Sequence, residues 1–257
     1  MSSIRIIGAG RAGTSFADAL RRAGHVVDGP LARGHEVSSA ATGVDALLLA
    51  VPDDQIADVA ELVVADPGCV VLHLSGSLGL DVLAPHTRRA SMHPLVPLPN
   101  AEIGAARLAA GVTIAVAGDG LATALATSLG ARVVAVADED RAAYHAAACI
   151  AANHVVALLG QVERVAATIG LDVDAFLGLA RAAIEDVEAL GPSRALTGPA
   201  SRGDWSTILR HLDALRPPER AAYGACVTLA LELAAPGQSV SPPLDVVERV
   251  TAADVAR

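Results

Sequence analysis

No lysine occurs anywhere in the 257-residue chain; all 19 cationic side chains are arginine. That absence excludes a Schiff-base mechanism and any lysine general acid, because a guanidinium neither forms imines nor readily releases a proton. Aromatic residues are scarce too, at 2%, so a core must be packed from small and branched aliphatics, alanine prominent among the 53% that are hydrophobic. The three cysteines, Cys69, Cys149 and Cys226, lack any paired spacing. They read as small buried hydrophobes in a reducing compartment, not as a disulfide frame. Histidines and carboxylates have no ligand spacing, so no metal is expected. The net charge of -9 argues against a nucleic-acid or anionic-membrane partner. The first residues run straight into "IRIIGAG", without the apolar segment of a leader, and a cytoplasmic protein is expected.

What is present is an alternation. "IRIIG", "HVVDGPLA", "DALLLAVP", "CVVLHLSG", "GVTIAVAG" and "ARVVAVAD" read as strands. Helical periods such as "RAGTSFADALRRAG" and "GLATALATSLG" fall between them. This is the pattern of a doubly wound parallel Rossmann sheet, expected over residues 1–137. From 138 to 257 only helical patterns remain, so an all-helical C-terminal domain is expected there, entered by one long helix. Residues 141–164, the one long apolar run, hold His145, Asn153, His154 and Gln161, which makes them a poor bilayer span and a helix that reads as buried.

"GAGRAG" places Gly8, Gly10 and Gly13 in G-x-G-x-x-G spacing between the first strand and the first helix. In that context the motif predicts a dinucleotide site: a tight turn, close approach of a pyrophosphate, and close helix–strand packing. Arg11 and Ala12 within the turn, and Val51 and Pro52 after the third strand, complete the expected cofactor contacts. The neighbourhood some twenty residues on reads "PLARGHEVSS", with Arg33 and no carboxylate where a ribose-binding acid would stand; Asp28 comes too early. Arg33 suits a 2′-phosphate, so NADP is expected rather than NAD.

Three groups of polar residues are candidates for chemistry. His145, Cys149 and Asn153 are spaced i, i+4, i+8 and share one face of an α-helix. An imidazole there can deliver a proton near neutral pH, and Asn153 can hold a carboxylate or amide; the alternative is that both are satisfied core residues. His93 is expected in a loop after a strand, at the ligand-binding edge of the sheet. Ser75 and Ser77 in "HLSGS" face the same edge, for cofactor and substrate respectively, unless they merely cap the next helix. In "TGPASRGDWST", Arg202 can pair with a carboxylate, Thr207 lies in a helix's first turn, and Asp204 reads as an N-cap. Asp53 and Asp54 read as a helix start.

The stretches "GAGRAGTSFADAL", "AVPDDQI", "HLSGS", "SMHPLVPL" and "LTGPASRGDWSTILRHL" resemble the 6-phosphogluconate-dehydrogenase-like superfamily. Within it they look most like bacterial Rossmann-like proteins with a helical C-terminal domain of unknown function. "SMHPLVPL" is similar to a segment of prephenate dehydrogenases, which implies that His93 lies near the nicotinamide. "GDWSTILRHL" is similar to a helix start of pyrroline-5-carboxylate reductases, matching Ser206 and Thr207 to a threonine pair. The long helix resembles that of ketopantoate reductases, with His145 in place of their lysine and Cys149 in place of an asparagine. Together these imply an NADPH-dependent oxidoreductase acting on a C=O or C=N group of a small carboxylate-bearing metabolite. The expected catalytic residues are His145, Asn153, His93 and Thr207, the substrate contacts Ser77, Arg202 and Ser206, and the assembly a homodimer. The alternative is an NADP-binding sensor or scaffold without turnover.

Overall fold

The computed structural model describes residues 1–238 and 241–252. Seven strands form one sheet: β1 (Ser3–Ile7), β2 (Val26–Leu31), β3 (Ala46–Leu49), β4 (Val70–His73), β5 (Arg89–Pro94), β6 (Thr113–Gly118) and β7 (Arg132–Ala135), in the order β2-β1-β3-β4-β5-β6-β7. Helices α1 (Arg11–Arg22), α2 (Ile56–Leu62), α3 (Ala101–Leu108) and α4 (Gly120–Ser128) connect them. The chain lays β2 on one side of β1 and β3 on the other, so the strand order reverses at β1/β3. A crevice therefore opens beyond the carboxyl ends of those two strands.

The two faces of the sheet are filled by alternation along each strand. Ile4, Ile6, Ala46, Leu48, Val70 and Leu72 pack with Phe16 and Leu20 of α1, Leu108 of α3 and Leu125 of α4. Leu47, Leu49 and Val71 face the other way, against Ile56 and Ala60 of α2. Because β3 is covered on both faces, it reads as an unbroken apolar run in the sequence; β4 is covered likewise but ends in the buried His73.

The sheet is mostly parallel as expected, with one antiparallel pair, β5 with β6. One expectation is corrected. The strand β5, "RASMHP", holds His93, expected in a loop; its pattern is obscured by a charged first residue and by the closing proline.

The helical region begins with α5 (Arg141–Cys149), followed by a π-helical segment Ile150–His154 and α6 (Val155–Ala167). Then come α7 (Asp174–Leu190), α8 (Pro192–Ala195), α9 (Trp205–Ala214), α10 (Pro217–Ala234) and α11 (Leu244–Thr251). Two compact units result, Met1–Asn153 and His154–Arg257, so α5 clusters with the sheet. In the second unit Ile208, Leu212, Val227, Leu231 and Val246 form a small core. There Arg164 of α6 donates from Nε and Nη2 to the two carboxylate oxygens of the buried Glu219 of α10, at 2.7 and 3.0 Å.

The long apolar helix is not buried as its composition suggests. The stretch Asp138–Ala167 is long and apolar enough to cross a membrane, yet its apolar window is entirely unburied. Val156 is 69% exposed, and on α7, which buries no residue, Leu179 is 72% exposed.

Candidate active site

Two of the three glycines of the turn are required by the backbone itself. Gly8 has φ +111°, and a Cβ there would lie 2.3 Å from the Ala50 carbonyl oxygen. A Cβ on Gly13 would lie 1.9 Å from the carbonyl oxygen of Gly8, so helix and turn pack too closely for a side chain. Gly10 differs, since a Cβ would meet nothing within 4 Å. Its smallness serves no packing need of the protein itself and leaves the backbone approachable. Gly10 is also the N-cap of α1 and supplies no side-chain cap, so the first N–H groups of this helix stay free for an anion. Two grooves flank the turn. One, about 600 Å³, is lined by Gly10, Arg11, Ala12, Val51, Pro52 and Leu98. The other, about 460 Å³, reaches Arg33, His35, Val37 and Gln55.

Asp28 is spent elsewhere, accepting a 2.7 Å hydrogen bond from Arg5 Nε, whereas no carboxylate among the described residues pairs with Arg33. An adenosine ribose in this groove would meet a guanidinium and no competing acid. The residues present therefore fit a dinucleotide carrying a 2′-phosphate.

Immediately after Pro52 the chain enters a polar cluster. Asp53 Oδ2 accepts from the hydroxyls of Ser75 at 2.6 Å and Ser77 at 3.2 Å. Ser75 also accepts from the backbone N–H groups of Ser77 and Leu78. These bonds close a turn at residues 75–78 and do not cap the helical segment Leu80–Leu83, whose N-cap is Gly79 without a side-chain bond; the bond to Asp53 makes that carboxylate more than a helix start. Arg141, 3% exposed, pins α5 to the sheet: it donates to Asp138 Oδ1, to the Ser75 carbonyl and to Ser91 Oγ.

Held this way, α5 brings Tyr144 and His145 against His93. The Tyr144 hydroxyl is 2.6 Å from His93 Nδ1. The His93 and His145 rings meet edge to face with centroids 6.0 Å apart. A Cβ on Gly76 would lie 2.7 Å from His145 Cδ2 and 2.8 Å from His93 Cε1, so this glycine clears the space for both imidazoles. Burial, with His145 and Arg141 nearby, lowers the pKa of His93 to about 4. Burial, with Arg141, lowers His73 to about 4 as well. Burial raises the Tyr144 hydroxyl above its ordinary value. For Asp138, burial pushes upward but is outweighed by the Leu80 N–H and Arg141, leaving its carboxyl below the usual range.

The structure thus brings together His93, His145, Ser75 and Ser77, and separately lines the grooves with Gly8, Gly10, Arg11, Ala12, Arg33, Val51 and Pro52. The i, i+4 relation survives from His145 to Cys149, whose Nε2 and Sγ are 3.8 Å apart. It is broken before Asn153, which stands exposed in the π segment. Arg202, Ser206 and Thr207 belong to the second unit. There Asp204 caps α9 by accepting from the Thr207 N–H, Ser206 donates to Asp204, and Arg210 donates to Thr207 Oγ1. Sequence reading missed Arg141, Tyr144, His73 and the part played by Asp53. The one available signal was the Asp138–Arg141 i, i+3 pair at the head of the long helix.

A crevice at the strand-order reversal, a G-x-G-x-x-G turn and an uncapped helix N-terminus define a Rossmann-type domain. Comparison with known proteins agrees. A family described as a Rossmann-like domain matches residues 34–99, and one described as a domain of unknown function (DUF2520) matches residues 110–229. The chain carries both matches in tandem, the first within the sheet and the second running from its last strands into the helices. It is similar to the structure of a Thermotoga maritima protein, TM1727, at 23% identity and TM-score 0.68, covering 90% of this chain and 98% of that one. A 1-pyrroline-5-carboxylate reductase from Streptococcus pyogenes is similar at 14% identity and TM-score 0.61, covering 90% and 98%. The Plasmodium falciparum pyrroline carboxylate reductase with NADP bound is similar at 13% identity and TM-score 0.57, covering 91% and 98%. No curated protein matches the chain significantly.

Proposed function

We propose that the protein is an NADPH-dependent oxidoreductase that reduces a C=O or C=N group of a small carboxylate-bearing metabolite. The observation that carries this reading is the continuity of Val51, Pro52 and Asp53: two residues line the cofactor groove, and the third bonds the serines beside His93 and His145. When bound, a reduced nicotinamide supplies the hydride. The chain's own residues must then bind, orient and protonate.

Gly8, Gly10 and Gly13 shape the pyrophosphate turn, and Arg33 receives the 2′-phosphate. Ser77 is the substrate-side hydroxyl. His93, neutral at pH 7, serves as a hydrogen-bonding partner rather than an ionised acid, so protonation of the substrate oxygen or nitrogen falls to His145. The experiment is NADPH oxidation followed by absorbance against a panel of keto acids and cyclic imines. Turnover with one of them supports the reading. Tight NADPH binding with no turnover by any of them favours the sensor alternative.

The same reading includes a homodimer. The apolar faces of α6 and α7 are more extensive than a soluble chain leaves open, and such patches mark interfaces. A second copy suits them better than a bilayer, because Gln161, Glu163 and Arg164 stand along α6 and Arg164 is committed to Glu219.

A further inference from the structure

The chain has two tyrosines, and Tyr144 has no part in the scheme above. It precedes His145 on α5, half-buried, with its ring edge-on to that of His93 at a centroid separation of 5.6 Å and an interplanar angle of 88°. A phenol and an imidazole 2.6 Å apart can share their hydrogen bond in two ways. Either the O–H donates to Nδ1, or Nδ1–H donates to the phenol oxygen. The second leaves the phenol proton needing another acceptor, and among the described residues Tyr144 has no other hydrogen-bond partner. The first leaves nothing unsatisfied at this contact.

A neutral imidazole carries one proton. If Nδ1 accepts, that proton must be on Nε2. This nitrogen lies 2.9 Å from where a Cβ of Gly76 would stand, on the side where His145 also packs.

We infer that Tyr144 is a positioning residue: its hydroxyl donates to His93 Nδ1, fixes the ring, and locks the tautomer with N–H at Nε2, so that His93 presents a donor beside Gly76 and His145. The charge states agree with this arrangement, since burial keeps the phenol protonated and the imidazole neutral at pH 7. The groups facing His93 are Tyr144 and His145 from α5, Arg141 at the head of that helix, and Asp53 from the loop after β3. The logic is that of any catalytic histidine whose second nitrogen is held by a neighbour to choose the tautomer of the first. The role in turnover rests on the reductase reading; the tautomer does not.

The test is nitrogen-15 NMR of the full-length protein labelled at histidine, at pH 7, with His93 assigned by comparison with His93→Gln. The wild type should show His93 protonated at Nε2 and unprotonated at Nδ1. In Tyr144→Phe, which keeps the ring and removes the hydroxyl, the His93 signals should shift toward a mixture of tautomers. With a substrate that is turned over, kcat should fall at least tenfold, about 1.4 kcal/mol of barrier, while NADPH affinity stays the same. A wild-type His93 protonated at Nδ1, or an unchanged tautomer in Tyr144→Phe, overturns the inference. An Nε2-protonated His93 in a protein that reduces nothing leaves the tautomer lock standing and removes the reductase reading alone.

Discussion

The imidazoles of His93 and His145 meet edge to face over Gly76, with ring centroids 6.0 Å apart. One ring comes from a sheet strand and the other from the first helix beyond the sheet, so their encounter is a product of tertiary packing. Gly76 is the residue that permits it. Gly76→Ala would put a methyl group 2.7 Å from one ring and 2.8 Å from the other, and both side chains must move. The variant should keep its NADPH affinity and lose activity, by about tenfold or more for displacements approaching 1 Å. Steady-state kinetics beside a binding titration checks this; full activity would show that the two rings need not stay in place.

His145 is the proposed proton donor. Positioned acids contribute about 10²–10⁴-fold to rate, so His145→Gln, close in size and still able to hydrogen-bond, should lose that order of kcat with NADPH binding intact. A full-rate variant would return His145 to a packing role and move the proton to another group.

His73 and His93 give the fold an acid sensitivity with a defined window. Both have pKa values near 4 when folded, against 6.5 in the ordinary state. Above 6.5 both are neutral whether or not the chain is folded. Between 6.5 and 4 the unfolded chain binds protons that the folded one does not, so stability falls as pH falls through that range. The slope is at most about 1.4 kcal/mol per pH unit for each group, and it flattens below 4 as the folded imidazoles titrate. Thermal unfolding of the wild type between pH 7.5 and 4.5 should show the melting temperature dropping, and His73→Asn should reduce the dependence. A melting temperature constant across this range would contradict the buried neutral imidazoles.

The exposed apolar faces of α6 and α7 lead to an expected dimeric mass in light scattering at micromolar concentration. Charged substitutions at Val156 and Leu179, which are 69% and 72% exposed, should give a folded monomer. A monomeric wild type would remove the second copy from the account.

Local signatures in the sequence predict the parts of the fold that are themselves local. The glycine turn is one, because Gly8 and Gly13 answer requirements of the backbone within a few residues or at the adjacent strand end. The strand β3 is another, because cover on both faces produces an unbroken apolar run. β5 is less legible: Arg89, His93 and Pro94 interrupt the alternation, and its antiparallel pairing with β6 depends on where the chain goes next. The Arg141 cluster joins partners on three different elements, separated by up to 66 residues, and no spacing rule reaches that far. The i, i+8 relation of His145 and Asn153 assumes an uninterrupted α-helix, which the π segment at Ile150–His154 breaks. The apolar pattern of α6 and α7 shows that these faces want cover, but says nothing of what provides it.

The crevice is proposed to hold NADPH, with Arg33 on its 2′-phosphate. Calorimetric titration of NADPH and NADH into the purified protein decides this. NADPH should bind at least tenfold tighter, about 1.4 kcal/mol, and in Arg33→Ala that preference should disappear while NADH affinity is unchanged. Equal affinities for the two cofactors, or a preference that survives Arg33→Ala, would contradict it.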